Sequence, residues 1–487
     1  SLAPARSLLK ERPLWAMAVA LPLLAALWMC LVPPHQYDSL VYHLALPQAY
    51  VREGRLFAPP GLVFAHFPQN GEMLFTLALL LGSDLLAQLF IWLSSVLSVW
   101  WVFSLGRREA PISAVALACV LIATHTAVLL MSSTTYVEPL VMLWITAAAL
   151  SFERWRRLAP EGGSPRGWLV LAAIFTGLAL GTKYYAGIGA VAFGLRLIFK
   201  LAQDKNRRAR LIDLALFTGI VTALFAPWLI KNWICVRNPV FPFLYRWFEN
   251  TGTGWHAELA AGYFRVLTEY GHADGFFKSL ISLPILLLRN PLRYGGGMDV
   301  LGDLGWDITL WLLPLGAWAA FKNKFLQGLL LFCVLWAAAW FSSGVILRFL
   351  TVLIPLMALL GACGLVGLWE RLGRRWRAVV GASLGVMTVG HLLVFLFVHA
   401  VFGSGSTALG LETREEFLSR RLDYYPCASW LSGRTEVNDR VLVVGEQRGY
   451  YIPVDHLPST VHMPNLFIRL ANEAASTKGL LAALRTE

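Results

Sequence analysis

The stretch Tyr37-Asp38-Ser39-Leu40-Val41-Tyr42-His43 places a carboxylate, a phenol and an imidazole together, directly after a long apolar run. A carboxylate at such a boundary has two readings. It caps a following helix through Tyr50, or it takes a proton from a hydroxyl brought to the membrane surface. Further polar residues stand at comparable boundaries. Glu138 opens an apolar run in Thr135-Tyr136-Val137-Glu138-Pro139, where the helix dipole also favours a carboxylate. Lys183 sits between two short apolar segments, ahead of Tyr184, and Arg348 lies one turn into another run. An arginine there has to snorkel or pair. Arg237, His66, Glu72 and His272 complete the set.

A carboxylate accompanied by several cations suits a phosphate-bearing amphiphile. The carboxylate takes a proton from an acceptor, and the cations stabilise a departing phosphate. Other chemistries lack their signatures. There is no G-x-x-x-x-G-K-[ST] loop, no dinucleotide fingerprint, and no H-E-x-x-H or C-x-x-C pattern. No cofactor is demanded, although Asp38 and Glu138 leave room for a shared divalent cation.

The elements that must position these groups are membrane spans. Of the 487 residues, 57% are hydrophobic and only 14% are charged, too apolar for a single soluble core. The net charge of +12 falls in short clusters between apolar runs, which marks topology and argues against nucleic acid as a partner. The spans expected are 14–32, 85–105, 111–131, 137–152, 168–180, 184–198, 211–234, 308–321, 325–341, 346–369 and 379–401. They amount to about 11 crossings by the length rule. Met73–Leu81 is too short to cross and reads as re-entrant or interfacial. Arg6, Lys10 and Arg12 ahead of the first span put the N-terminus in the cytoplasm, and the later basic turns agree. Asp38 is then extracytoplasmic. The six cysteines are scattered, and only a pairing of Cys235 with Cys427 stays open.

The expected organisation is a transmembrane domain over 1–402, with outer loops 33–84 and 237–303. A small extracytoplasmic α/β domain follows over 403–487. In that tail Glu412–Trp430 and Asn465–Glu487 read as helices, while 440–445 and 450–452 read as strands.

Five motifs in this order resemble a known family. They are Tyr37-Asp38-x-x-x-Tyr42-His43-Leu44 and Thr182-Lys183-Tyr184-Tyr185-Ala186-Gly187. Asn238-Pro239-Val240-Phe241-Pro242 and Arg348-Phe349 with Pro355 follow. The last is Gly445-Glu446-x-Arg448-Gly449-Tyr450-Tyr451. The chain resembles the bacterial polyprenyl-phosphate-sugar-dependent membrane glycosyltransferases of the GT-C superfamily, related to protein O-mannosyltransferases and lipid A aminoarabinose transferases. The resemblance implies an all-α polytopic fold and inverting transfer from a polyprenyl monophosphate sugar on the extracytoplasmic face of the inner membrane. The acceptor would be lipid, glycan or protein. It implies Asp38 as catalytic base and Glu138 as a second acidic residue of the active site. Lys183, Arg348 and Arg237 would bind the donor phosphate. Tyr42, His43, His66, Glu72, Tyr184 and His272 are further pocket candidates. Ser39 stands where the mannosyltransferases carry an acidic neighbour of the base. A lipid-linked glycan transporter and a non-catalytic membrane assembly protein are the alternatives. A transporter would show internal repeats, and none is visible.

Overall fold

A computed structural model describes residues 13–59, 61–158, 166–272, 275–289, 305, 308–321, 323–436, 439–457 and 466–486. Arg6, Lys10 and Arg12 fall outside the described residues, as does the side chain of His272 at the end of the helix Ala257–His272. The chain forms two compact units. The first comprises Ser1–Val32, Leu85–Phe225 and Leu267–Leu411; the second comprises Pro33–Asp84, Ala226–Val266 and Glu412–Glu487.

Every regular element among the first unit's described residues is helical. Among the described residues six helices are long and apolar enough to cross a membrane: Asp84–Gly106, Tyr184–Gln203, Arg207–Val236, Lys324–Ser343, Leu347–Arg371 and Arg374–Val401. A seventh crossing is counted if Ile112–Thr124 and Thr126–Ser132, bent by 57° at His125, are one span. This corrects the expectation of about 11 spans, and the reason is length and charge. Pro13–Met29 has 17 residues and Arg166–Leu180 has 15, so each rises about 25 Å or less, short of the hydrocarbon thickness. Glu138–Leu158 is long enough, but Glu138, Glu153, Arg154, Arg156 and Arg157 leave it no long uncharged window. The run 308–321 breaks into a π-helical turn, Ile308–Leu312, and the short helix Leu313–Ala320. The chain is a multi-pass membrane protein, with shorter apolar helices packed among its spans.

Packing in the first unit relies on small residues that let helices touch, because lipid removes the hydrophobic drive between them. Where Leu313–Ala320 crosses Ile354–Arg371, a Cβ on Gly364 would lie 2.1 Å from the Leu315 carbonyl oxygen, and one on Gly361 would lie 2.4 Å from the Leu315 helix's neighbour Leu312. Gly364→Ala should therefore lower stability by about 1–3 kcal/mol, because backbone has to move. That loss outweighs the roughly 1 kcal/mol alanine gains in a helix. Gly367→Ala, whose Cβ would meet only Trp318 at 3.4 Å, is the control. Thermal unfolding in detergent reads both, and equal midpoints for the two variants would refute the close crossing.

One end of the helix Glu138–Leu158 is tied by buried ion pairs. Glu109 receives Arg154 and Arg157, while Glu153 receives Arg156 at 2.7 Å and Arg196 at 2.5 Å. The carboxylates are almost fully buried, so the arginines are what make their burial tolerable.

The second unit holds the short elements. Asp38 precedes a π-helical turn, Ser39–His43, and makes no capping hydrogen bond; the helix Ala45–Glu53 follows and ends at Gly54 in the left-handed region. Asn70–Leu80 is an 11-residue helix. The C-terminal stretch contains the helices Arg414–Arg421, Tyr425–Leu431, Leu466–Glu473 and Thr477–Thr486. A capping box at Thr413 and Glu416 fixes the first of them. Two strands, Arg440–Leu442 and Asp455–Leu457, pair in parallel with Arg440 opposite Asp455. The expected strand at 450–452 is instead a turn, because Tyr450 and Tyr451 are held by other partners described below. The six cysteines are free thiols, with Cys235 and Cys427 exposed.

Candidate functional site

Three of the charged residues singled out in the sequence meet in the first unit. The Glu138 Oε1 oxygen accepts from Lys183 Nζ at 2.8 Å and lies 3.0 Å from Arg348 Nε. All three are buried, with Glu138 only 1% exposed. Each is delivered by an irregularity in the helices. Glu138 begins its helix, with Pro139 in the first turn. Lys183 is an extended residue between the end of Arg166–Leu180 and the 3-10 turn Tyr184–Ala186. Arg348 sits in the 3-10 turn Leu347–Phe349.

Aromatic rings line the cluster. The Arg348 guanidinium lies 5.0 Å from the Tyr136 ring centroid and 5.9 Å from that of Phe349, where Lys183 Nζ is also 5.9 Å away. Tyr185 stacks on Phe349 at 4.3 Å. Among the described residues the buried Tyr185 hydroxyl and Glu138 Oε2 have no hydrogen-bond partner. With all three charged residues ionised the cluster carries one surplus positive charge in surroundings that strengthen electrostatic interactions. Such a cluster favours an added anion and stabilises negative charge that develops on a leaving phosphate. Tyr136 and Tyr185 were not foreseen as members. The Tyr184-Tyr185 pair beside Lys183 was the available signal, and of the two it is Tyr185 that faces the cluster. Tyr184 packs edge-on to Phe225 at 6.1 Å.

Asp38 lies in the second unit, half-buried, and accepts a 3.4 Å hydrogen bond from the Tyr42 hydroxyl. Tyr42 is wedged against His43 and stacked on Phe64. His43 Nδ1 and Glu72 Oε1 are 2.6 Å apart and wholly buried. His66 is buried beside Lys231 and Asn232; burial first, then the Lys231 charge, pushes its imidazole down to about 3, so it is neutral. Its backbone carbonyl accepts from Asn232 Nδ2 at 2.7 Å. Arg237 is exposed, has a left-handed φ of 57°, and covers Trp233 at 5.9 Å.

The Gly445–Tyr451 motif grips the Asp38 stretch from both sides. The Tyr451 hydroxyl donates to the Pro34 carbonyl at 2.7 Å, and the Tyr450 amide donates to the Leu40 carbonyl at 3.1 Å. The Arg448 guanidinium lies 5.8 Å from the Tyr37 ring centroid. Arg414 pairs with Asp84, whose other contact is the Tyr450 hydroxyl at 3.3 Å.

Arg448 is itself held by Glu446 at 2.5 Å and Asp423 at 2.7 Å. Burial raises the Glu446 pKa, but the Arg448 hydrogen bonds outweigh it and the net shift is downward. The hydrogen bond from Arg448 likewise lowers Asp423. A carboxyl lowered in the folded state lends stability above its unfolded value, near 4, and loses it as pH falls through the folded value. Hydrogen-exchange protection of residues 440–457 should therefore decline below about pH 4. Glu446→Gln should blunt that decline, and an unchanged profile in the variant would refute the link.

Among the described residues no group of three or more His, Cys, Asp or Glu is arranged to hold a metal ion. The Glu138 carboxylate already faces two cations, Lys183 and Arg348, which oppose a third. These residues do not fit a divalent cation.

Residues 36–235 match the family described as dolichyl-phosphate-mannose-protein mannosyltransferase. The fold is similar to that of ArnT from Cupriavidus metallidurans bound to undecaprenyl phosphate, with 16% identity and a TM-score of 0.59 over 92% of this chain and 86% of that one. It is also similar to the oligosaccharyltransferase AglB from Archaeoglobus fulgidus in complex with an inhibitory peptide and a dolichol-phosphate, with 14% identity and a TM-score of 0.51 over 88% of this chain and 62% of that one. No curated protein sequence matches. The chain thus shares its fold with these two proteins, and residues 36–235 carry the match to the mannosyltransferase family.

Proposed function

We propose that this enzyme transfers a sugar, with inversion, from a polyprenyl monophosphate to an acceptor on the extracytoplasmic face of the inner membrane. The observation that carries the proposal is the buried Glu138–Lys183–Arg348 cluster with its surplus positive charge. Lys183 and Arg348 hold the donor phosphate and stabilise its charge as the bond to the sugar breaks. Glu138 keeps both cations in place before the donor arrives, so little reorganisation accompanies binding. Asp38 removes the proton from the acceptor nucleophile, which attacks the anomeric carbon from the side opposite the departing phosphate. The Tyr42 hydroxyl orients the Asp38 carboxylate, and Arg237 gives weaker electrostatic help at the surface. On this view residues 1–402 form the catalytic membrane domain, and residues 403–487 an extracytoplasmic domain that braces the Asp38 stretch.

The test is reconstitution. The purified protein in lipid is given polyprenyl-phosphate sugars of defined anomeric configuration together with membrane-derived acceptors. Formation of a glycosylated acceptor of opposite configuration supports the proposal. Donor turnover that survives simultaneous neutralisation of Lys183 and Arg348 would refute it.

A further inference from the structure

The second unit contains a groove that the transfer chemistry does not use. It follows the helix Ala45–Glu53 as two adjoining cavities of about 510 and 280 Å³, which share Gln48 and Arg52 as lining residues. The smaller, which carries Phe57, Gln447 and His456, is close to the lower end of the range of small-molecule sites, about 300–1,000 Å³. The character of its walls narrows what fits.

The charges in the groove are matched. Three arginines stand against three carboxylates: Arg52 and Arg440 pair with Asp455, at 3.2 and 2.9 Å, Arg414 pairs with Asp84, and Glu53 also lines the groove. A phosphate or carboxylate ligand would have to displace a protein carboxylate. The lining also carries too many polar groups to suit an acyl chain. What the groove offers is neutral hydrogen bonding. Among the described residues the carboxamides of Gln48 and Gln447, on the helix and the C-terminal stretch respectively, have no hydrogen-bond partner. Each has a donor and an acceptor side.

His456 adds an acceptor. Its Nδ1 is 3.1 Å from the Val454 carbonyl, which can only accept, so the proton resides on Nδ1 and Nε2 is left as an acceptor. Burial is the main influence keeping this imidazole neutral. A Cβ on Gly449 would collide with Nε2, so only glycine lets the backbone pass this close to the ring. Phe57 supplies an apolar face in the same groove.

We infer that this groove binds the neutral saccharide portion of a glycan acceptor, through Gln48, Gln447 and His456 against Phe57. Paired amide donors and acceptors beside an aromatic face match the vicinal hydroxyls and apolar ring face of a sugar. The inference rests on the glycosyltransferase reading for its biological sense and names the acceptor class for it; saccharide binding itself is measurable without turnover.

The test uses the full-length protein in detergent and saturation-transfer NMR with neutral oligosaccharides and a phosphorylated counterpart. Saturable binding of at least one neutral oligosaccharide is expected. The combined Gln48→Ala and Gln447→Ala substitutions should weaken it at least about tenfold, the loss of one good hydrogen-bonding group or more. Gln447→Asn, which only shortens the amide, serves if the double variant unfolds, and it should weaken binding in the same direction. Asp38→Asn should bind as the parent does, because Asp38 lies outside this lining. The inference is overturned if no saccharide binds saturably, if the glutamine variants bind unchanged, or if the phosphorylated compound is preferred. Transfer to saccharide-free acceptors with no saccharide binding would sink this inference alone. Saccharide binding with no donor turnover under any condition would sink the transfer reading and leave the groove standing.

Discussion

Replacing Asp38 with asparagine should reduce sugar transfer by about 10²–10⁴-fold in kcat, the usual worth of a positioned general base. Asparagine keeps the shape and still accepts from the Tyr42 hydroxyl, but it cannot take a proton. The fold should not notice. Asp38 makes no capping hydrogen bond to the turn that follows it, so the loss of charge removes no helix cap. The unfolding midpoint should accordingly stay within a degree or two, roughly the effect of a surface substitution under 0.5 kcal/mol. Donor KM should change little, because the phosphate is assigned to other residues. Initial rates with labelled donor, measured at several donor concentrations, separate the two constants. If the variant turned over at the parental rate, another group would have to be the base.

Substituting Glu138 with alanine should have a different signature. It leaves Lys183 and Arg348 buried within a few ångströms of each other with no anion between them. Breaking a buried ion pair in this way costs about 3–5 kcal/mol. Removing a cation as well should restore part of the loss, so Glu138→Ala combined with Lys183→Met should be more stable than Glu138→Ala alone. That non-additivity is the mark of direct coupling. Lys183→Met by itself should raise donor KM more than it lowers stability, since Arg348 still accompanies the carboxylate. Polyprenyl phosphate should also raise the melting temperature of the parent more than that of Lys183→Met, because a ligand stabilises the state that binds it. Thermal unfolding of the four proteins with and without the lipid phosphate decides the matter; additive losses would show that the three side chains do not act together.

The residues of this cluster were legible in the sequence because each was out of place. A carboxylate opening an apolar run, a lysine between two short apolar segments and an arginine inside a third all demanded partners. That the three are one another's partners was not legible, since they are brought together by irregular turns whose geometry depends on packing. Tyr185 was missed for the same reason: its neighbour Tyr184 has the same side chain, and only the 3-10 turn decides which of them faces Lys183. The number of crossings was overestimated because hydrophobicity alone does not separate a helix that spans from one that packs among spans. Pro13–Met29 and Arg166–Leu180 have the composition of spans and lack the length. In the tail, Tyr450-Tyr451-Ile452 has the residue types of a strand, yet the two tyrosines spend their polar groups on Asp84, Pro34 and Leu40. Long-range contacts of that kind leave no periodic trace.

The hydrogen bond from Tyr451 to Pro34 joins residues 417 positions apart. On a ribosome the chain emerges in order, so the first loop leaves long before its clamp exists. Until Tyr450 and Tyr451 have been made, the backbone on either side of Asp38 lacks the two contacts that fix it. Unfinished chains would thus carry the acidic residue without its setting. The order of synthesis itself then delays the finished setting of Asp38 until the C-terminal motif has emerged.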